Sequence, residues 1–181
     1  MIDLETMGLR PNAAIVSIGV VKFQQLPGSQ LDITVQSTFH VSVSLKSCLD
    51  HGLTTDQSTV DWWSKQSAQA RSSWQREDAP PLLEALTQLT QWMMVGCSES
   101  QNVPWGNGAD FDLVLLKSAY NSISADPPWR YYNQKCFRTV KSLFPVGEVA
   151  RFGVHHNALD DAMYQTEVLR SIVRVHNLVL P

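Results

Sequence analysis

Two stretches near the start of the chain have the hydrophobic pattern of β-strands. Residues 13–23 are nearly all apolar and rich in β-branched side chains, which is typical of a strand buried on both faces. We expect a turn at residues 26–29, which include proline and glycine. Residues 38–44 then alternate, with Phe39, Val41 and Val43 on one side, and predict a half-exposed strand at a sheet edge. The chain therefore opens with a meander.

The rest of the chain shows mainly the spacing of amphipathic helices. We expect a helix over residues 56–74, with Val60, Trp63 and Ala70 facing inward. Further apolar stripes predict helices from residue 82, after residue 112, over residues 137–144 and from about residue 159. Residues 102–106 suit one late strand. This order indicates a single domain over residues 1–181, in which helices cover an α/β or α+β sheet.

Composition and charge narrow the classes of function. Hydrophobic residues make up 44% of the 181 residues and charged residues 17%, which is a globular balance. The net charge of −3 excludes a protein that coats nucleic acid by charge alone, so such a partner would need a bound metal or a local basic patch. We find no apolar run of membrane-spanning length and no signal peptide, and the three cysteines are far apart. We therefore expect a cytoplasmic protein that binds no membrane.

Two acidic pairs occur where predicted elements end or begin. Asp3 and Glu5 are two residues apart in a predicted strand, so their side chains point to the same face. Asp110 and Asp112 open a predicted helix just after a turn of glycine and asparagine at residues 106–108. Either of the second pair could instead cap that helix.

A third element combines two histidines and two aspartates where the last helix begins. It contains His155, His156, Asp160 and Asp161, with Asn157 as a candidate helix cap. His155 with Asp160 and His156 with Asp161 have the same spacing, so the residues alone leave both pairs open.

Together these elements predict a cation site. Several carboxylates without a cysteine ligand favour hard cations such as Mg²⁺ or Mn²⁺. Two such ions about 3.5–4 Å apart form a clamp used for phosphodiester cleavage, in which one activates a water and the other stabilises the leaving 3′ oxygen. A neutral histidine beside that water would accept its proton.

The motifs and their order resemble the DEDDh 3′→5′ exonucleases. Asp-x-Glu at residues 3–5, Phe-Asp at residues 111–112 and His-x-Ala-x-x-Asp-Ala at residues 156–162 span nearly the whole chain. The local wording is most similar to small phage and prophage exonucleases, which group with a bacterial exoribonuclease. The resemblance implies an α/β fold of the ribonuclease H-like type, with a mixed five-stranded sheet, an N-terminal antiparallel meander and helices on both faces.

The resemblance also selects among the acidic residues. It implies Asp112 rather than Asp110, because the second acid of the family directly follows phenylalanine, here Phe111. It implies His156 with Asp161 rather than His155 with Asp160, because Ala158 lies where the family has alanine. Two Mg²⁺ or Mn²⁺ ions are then held by the predicted metal ligands Asp3, Glu5, Asp112 and Asp161. His156 is the implied general base.

The substrate-binding residues are predicted from the resemblance and from stacking physics. Thr6 is expected near the 3′-hydroxyl group, and Met7 is either a wedge under the terminal base or core filler. Trp62 and Trp63, with Gln66, resemble a helix word of similar proteins and either stack on a base or pack in the core. Arg138 belongs to a basic cluster that contacts phosphate or is simply a solvated face, together with Arg130, Lys135 and Lys141.

These observations predict an exonuclease that releases nucleoside 5′-monophosphates from single-stranded 3′ ends. We expect DNA to be preferred, with an exoribonuclease as the alternative. A metal-free nucleic-acid-binding module and a ribonuclease H-type endonuclease are the rivals from other classes. A homodimer is expected by family analogy alone.

Overall fold

A mixed five-stranded sheet forms the centre of the computed structural model, which describes residues 1–26, 28, 31–72 and 74–180. The strands are β1 (Ile2–Thr6), β2 (Ile15–Leu26), β3 (Asp32–Ser42), β4 (Trp105–Gly106) and β5 (Lys135–Cys136). Their order is β3-β2-β1-β4-β5. Neighbours among β1, β2 and β3 are antiparallel, whereas β4 pairs in parallel with β1 and with β5. The predicted meander and edge strand are confirmed, and Pro27 and Ser29 of the predicted turn lie outside the described residues.

Helices cover both faces of this sheet. They are α1 (Leu45–Asp50), α2 (Gln57–Ser64), α3 (Ala68–Ser72), α4 (Leu82–Met94), α5 (Asp112–Ser122), α6 (Phe137–Leu143) and α7 (Ala158–His176). One hydrophobic cluster packs α4 and α5 against the sheet, and a second packs α6 and α7 against it. The predicted α/β class, with a five-stranded ribonuclease H-like sheet between helices, is confirmed.

Side chains of β1 alternate between the two faces because successive residues of a strand point in opposite directions. Ile2 and Leu4 belong to the hydrophobic cluster that includes α4 and α5. Asp3 instead accepts a hydrogen bond from Gln165 of α7, and Glu5 approaches Asp161 of α7. The alternation thus gives one face of β1 to the core and the other to α7.

The first turn of α7 crosses the sheet at Gly19 of β2. A Cβ atom on Gly19 would lie 2.2 Å from the carbonyl carbon of Ala158, which is closer than a side chain tolerates. Asn157 caps the helix there, because its side-chain oxygen accepts hydrogen bonds from the backbone N–H groups of Leu159 and Asp160, at 3.2 Å each. A glycine under a capped helix start therefore lets α7 lie directly on the sheet, beside β1.

The helix predicted over residues 56–74 was wrong as a single element. The structure ends α2 at Ser64 and begins α3 at Ala68. Ser67 explains the break, because its hydroxyl oxygen accepts a hydrogen bond from the Ala70 N–H at 3.1 Å and so starts a new helix. Trp63 and Ala70 are buried as expected, but Val60 is 38% exposed.

The late strand and the last helix differ slightly in their bounds from the prediction. The late strand is shorter than the predicted 102–106, since Pro104 has no N–H to donate to a sheet and pairing is confined to Trp105 and Gly106. The last helix begins at Ala158, one residue before the expected start. Its predicted inner side is buried throughout, at Ala162, Thr166, Leu169, Ile172 and Val173.

Candidate active site

A cleft opens where β1 ends beside the first turn of α7. Its cavity has a volume of about 680 Å³ and is bordered by residues of β1, α2, α6 and α7 and by the loop that precedes α7. Many of the sequence-predicted site residues line it. They are Asp3, Glu5, Thr6, Trp62, Trp63, His156 and Asp161.

Three of these residues are close enough to share one cation. A carboxylate oxygen of Glu5, a ring nitrogen of His156 and a carboxylate oxygen of Asp161 all lie within 4.8 Å of one another. They come from the end of β1, from the loop before α7 and from the first turn of α7. The fold thus brings residues that are about 150 positions apart in sequence to a single point.

Asp112 adjoins this group from α5. It is the first residue of that helix, and its carboxylate accepts a hydrogen bond from the Asn107 N–H at 2.9 Å, which holds the loop between β4 and α5. Its charge raises the pKa of both Asp3 and Glu5. Asp112 is therefore near enough to act on Asp3 and Glu5, although it is not among the described residues that line the cavity.

Burial and repulsion between charges make Asp3 and Glu5 hard to ionise. The pKa of Asp3 is raised well above its usual range by burial and by the charges of Asp112, Glu5 and Asp161. Burial, then Asp161 and Asp112, raises the pKa of Glu5 to about 8. Burial also raises the pKa of Asp112. Placing several buried acids together costs stability, and a divalent cation would offset that cost.

The donor set fits hard divalent cations. Four carboxylates offer oxygen ligands, and Glu5, Asp112 and Asp161 are buried where bulk water competes poorly. Among the described residues, the group with metal-ligand spacing contains no cysteine. Oxygen-rich sites of this kind suit Mg²⁺, Mn²⁺ and Ca²⁺.

Arg151 supplies a positive charge that the sequence analysis missed. Its guanidinium group pairs with the carboxylate of Asp161 and lies over the ring of Tyr164, 4.6 Å from the ring centroid. Both residues line the cleft. Tyr164 is three residues after Asp161, and that helical spacing is a signal that could have found it. Arg151 belongs to a loop and gave no such signal.

A backbone hydrogen bond and a ring contact with Trp62 hold His156 at the cleft. Its φ angle of 63° is left-handed, which is uncommon for a residue with a side chain. Its backbone N–H donates to Asp161 Oδ2 at 3.0 Å. The Trp62 ring meets the imidazole edge to face, with centroids 4.7 Å apart. Burial and the neighbouring His155 lower the pKa of His156, which favours the neutral imidazole.

Asp160 and Asp110, the alternatives to Asp161 and Asp112, lie outside the acidic group. Asp160 Oδ2 accepts a hydrogen bond from the Val154 N–H at 2.7 Å and so fixes the loop before α7. Asp110 is exposed at the start of α5. Neither is among the charges that raise the pKa of Asp3 and Glu5, whereas Asp112 and Asp161 both are. The geometry thus brings Asp161 and Asp112, but not their neighbours, to the acidic group.

The predicted substrate-binding residues on β1 and α2, and Met7 just after β1, differ in how far their side chains are exposed. Met7 is 2% exposed and packs in the hydrophobic core, so its side chain is not placed to wedge a base. Trp63 is 3% exposed, and its indole N–H donates to the Thr6 carbonyl oxygen at 2.9 Å. Trp62 is 40% exposed and can offer its ring to a base. The Thr6 hydroxyl donates to the Gly8 carbonyl oxygen at 2.8 Å.

The remaining predicted substrate contacts lie at the margin. Gln66 donates to the Trp62 carbonyl oxygen at 3.1 Å and is not among the lining residues of the described chain. Arg138 is exposed on α6, and its charge acts to lower the pKa of Asp112. Lys141 of the same helix lines the cleft. Leu9, which the sequence analysis did not single out, is 73% exposed at the cleft and offers a further apolar surface.

Comparison with known proteins agrees with this chemistry. Over the described part of the chain, no helix has the length and apolar character that crossing a membrane requires. The chain is 25% identical over 178 residues to an exodeoxyribonuclease of Enterobacteria phage T4, an alignment that covers 88% of this chain and 78% of the phage protein. The model of the 3′-5′ exoribonuclease Rv2179c-like domain matches residues 1–173. The chain therefore belongs to the Rv2179c-like 3′-5′ exoribonuclease domain family, a family of exonucleases.

Proposed function

We propose that this chain is a DEDDh-type, metal-dependent exonuclease that removes nucleoside 5′-monophosphates from single-stranded 3′ ends. The observation that carries the proposal is the meeting of Glu5, Asp161 and His156 within 4.8 Å beside Asp3 and Asp112. The family resemblance assigns catalytic roles to these same five residues. No other group of potential metal ligands is found in the described ranges.

The proposed metal ligands are Asp3, Glu5, Asp112 and Asp161, which would hold two Mg²⁺ or Mn²⁺ ions. Bound there, the ions supply Lewis-acid activation of water and stabilise the charge that develops on the leaving oxygen. His156 accepts a proton from the attacking water, whose oxygen forms a bond to phosphorus. The bond from phosphorus to the 3′ oxygen breaks, and that oxygen takes up a proton from solvent water and becomes the new 3′-hydroxyl end. The phosphate stays on the released nucleotide.

The edges of the cleft support binding of a terminal nucleotide. Trp62 and Leu9 present exposed apolar surface, on which a base can stack or pack. Lys141 and Arg151 line the same cavity and are suited to contact phosphate oxygens. The carboxylates alone would repel a nucleic acid, so these cations and the proposed metal ions make the cleft compatible with a polyanion.

DNA is the proposed polymer, and RNA is the second candidate. The similarity to the phage T4 exodeoxyribonuclease supports DNA, whereas the description of the matched family model names an exoribonuclease. A time course on matched 5′-labelled single-stranded DNA and RNA, with Mg²⁺ or Mn²⁺, separates the two. A descending ladder on DNA that is faster than on RNA supports the proposal, and the reverse supports the exoribonuclease.

Asp112→Asn and Asp110→Asn form a matched pair for the same assay. Asp112→Asn should abolish the ladder, while Asp110→Asn should leave it unchanged, because only the first carboxylate belongs to the buried group.

Internal cuts in a circular substrate would instead favour the ribonuclease H-type endonuclease. A wild-type protein that binds oligonucleotides but is inert with fresh metal would favour the binding module. The proposed homodimer rests on family analogy and is checked by light scattering.

A further inference from the structure

Gln165 is a buried polar residue of the cleft to which the proposed mechanism gives no role. It is four residues after Asp161 on α7, and this spacing places both side chains on one face of the helix. Its side chain is only 6% exposed, and what remains exposed lines the cavity together with Asp3, Glu5 and Asp161. A buried glutamine must find partners for both ends of its amide, or it costs stability.

The nitrogen end of this amide has a partner in Asp3. Gln165 Nε2 donates to Asp3 Oδ1 at 2.6 Å. A carboxylate that binds a cation is ionised and only accepts hydrogen bonds, so the nitrogen end of the amide is the end that suits Asp3 as a cation ligand. The bond therefore fixes the orientation of one proposed cation ligand from the neighbouring helix.

The oxygen end has no partner. Gln165 Oε1 is buried, and within the described chain no group donates a hydrogen bond to it. The other side-chain atoms of this kind are the indole nitrogens of Trp74 and Trp129, and neither residue lines the cleft. An unsatisfied acceptor beside four carboxylates calls for a donor that enters the cleft, and water bound to a cation is such a donor.

We propose that Gln165 is a positioning residue of the cation site, an inference that rests on the proposed function. Its Nε2 holds the Asp3 carboxylate in the orientation that a cation requires. Its Oε1 accepts a hydrogen bond from a water ligand of that cation. Gln165 thus acts through Asp3 and through water rather than by direct coordination, and both halves of its amide are satisfied only when the cation is bound.

Titration calorimetry of the metal-free protein with Mn²⁺ tests the inference without any substrate. Gln165→Leu removes both the donor and the acceptor at similar volume, and it should weaken Mn²⁺ binding by about 10–100-fold. Gln88→Leu is the matched control, because Gln88 is a helical glutamine that bonds Glu84 on the exposed surface of α4. The control should bind Mn²⁺ as the wild type does. Melting of both variants in EDTA verifies that they are folded.

The side-chain amide signals of Gln165 in an NMR spectrum provide a second readout, which a merely structural role would not move. They are assigned in the wild type by triple-resonance spectra that connect the side-chain amide to the Gln165 backbone. Addition of Mg²⁺ should shift these signals and slow their exchange with water, since the amide then bonds at both ends. If Gln165→Leu is unfolded in EDTA, the Mg²⁺-dependent change of the wild-type signals decides alone.

Failure of this inference is distinguishable from failure of the proposed function. Unchanged Mn²⁺ affinity in a folded Gln165→Leu, or amide signals that ignore Mg²⁺, overturns the role of Gln165 even if the wild type degrades oligonucleotides. Conversely, weakened Mn²⁺ binding in Gln165→Leu supports that role even if the wild type proves inert on DNA and RNA.

Discussion

The two ends of α7 hold carboxylates in opposite electrostatic settings. Near the C-terminal end, Arg170 and Arg174 both donate hydrogen bonds to Asp32 of β3, at distances of 2.7 to 3.3 Å. These arginines hold the pKa of Asp32 well below its usual range. At the N-terminal end, Asp161 meets three further carboxylates, and burial with mutual repulsion raises the pKa of Glu5 to about 8.

The contrast separates a carboxylate that stabilises the fold from the carboxylates that we propose bind cations. Asp32 has two arginine partners, so its charge contributes to the attachment of α7 to β3. The acids of the cleft have more negative charge than Arg151 can balance, and the metal-free fold is less stable for it. Unbalanced negative charge of this kind lowers stability, and proteins retain it where it binds a ligand of opposite charge.

Glu5→Gln and Asp32→Asn should differ most in activity. Glu5→Gln removes a proposed cation ligand and should lower kcat on single-stranded substrate by about 10³-fold, equivalent to roughly 4 kcal/mol of transition-state stabilisation. Asp32→Asn should leave kcat within about twofold of the wild type, because Asp32 lies at the other end of α7. Single-turnover kinetics with saturating Mn²⁺ measure both. Equal losses in the two variants would contradict the distinction.

Protons and cations should compete in the cleft but not at Asp32. Since Glu5 has a pKa of about 8 in the metal-free fold, cation binding must displace its proton at lower pH. The apparent Mn²⁺ affinity of the wild type should therefore rise between pH 6 and 8, by up to about tenfold per pH unit for each proton displaced. Calorimetry at several pH values measures the slope. Asp32→Asn should keep this slope, and an affinity independent of pH would refute the proposed competition.

Arg151 should oppose cation binding, because its guanidinium pairs with a proposed ligand. Arg151→Gln frees Asp161 and should tighten Mn²⁺ binding about fivefold in the absence of substrate, which corresponds to roughly 1 kcal/mol. Arg130→Gln is the control, since Arg130 pairs with Glu99 on the surface outside the cleft. Weaker Mn²⁺ binding in Arg151→Gln would show that the arginine supports the site rather than competing with the ion.

The two ends of α7 should also respond to pH with opposite sign when the protein melts without metal. The folded state keeps a proton on Glu5 that the unfolded chain releases above a pKa of 4.5, so this stabilising contribution is lost as pH rises through about 8. Asp32 has a lowered pKa when folded, so its contribution is present at neutral pH, begins to decline as pH falls below the unfolded value of 3.8, and is lost as pH falls through the lower folded pKa.

Melting temperatures in EDTA at pH 8 test these signs. Glu5→Gln should raise the Tm and Asp32→Asn should lower it, each by about 2–4 °C for a chain of this size. Excess Mg²⁺ should cancel the advantage of Glu5→Gln, because the wild type alone binds the ion well. A decrease of Tm in both variants would mean that Glu5, like Asp32, stabilises the metal-free fold.

Local spacing in the sequence predicted much of the fold, but it left the acidic group ambiguous, and the family resemblance selected Asp112 and Asp161. Alternation along β1 put Asp3 and Glu5 on one face, and helical spacing identified the inner side of α7. The spacing of apolar residues does not show where a side chain caps a new helix, so the break between α2 and α3 at Ser67 was not predicted. Arg151 was missed because a loop has no periodicity. Met7 could be placed only by packing, since both a core and a surface position suit methionine.

Gly19 illustrates how a residue without any chemistry of its own can set the reach of a reactive group. Because the first peptide of α7 lies where a side chain at this position would be, even one added methyl group must lift the start of the helix off the sheet. Asp161 would move with the helix and away from Glu5, so the cleft would bind the proposed cations less tightly even though every charged residue is still present. An inherited or engineered change at position 19 would then be mistaken for the loss of an acid.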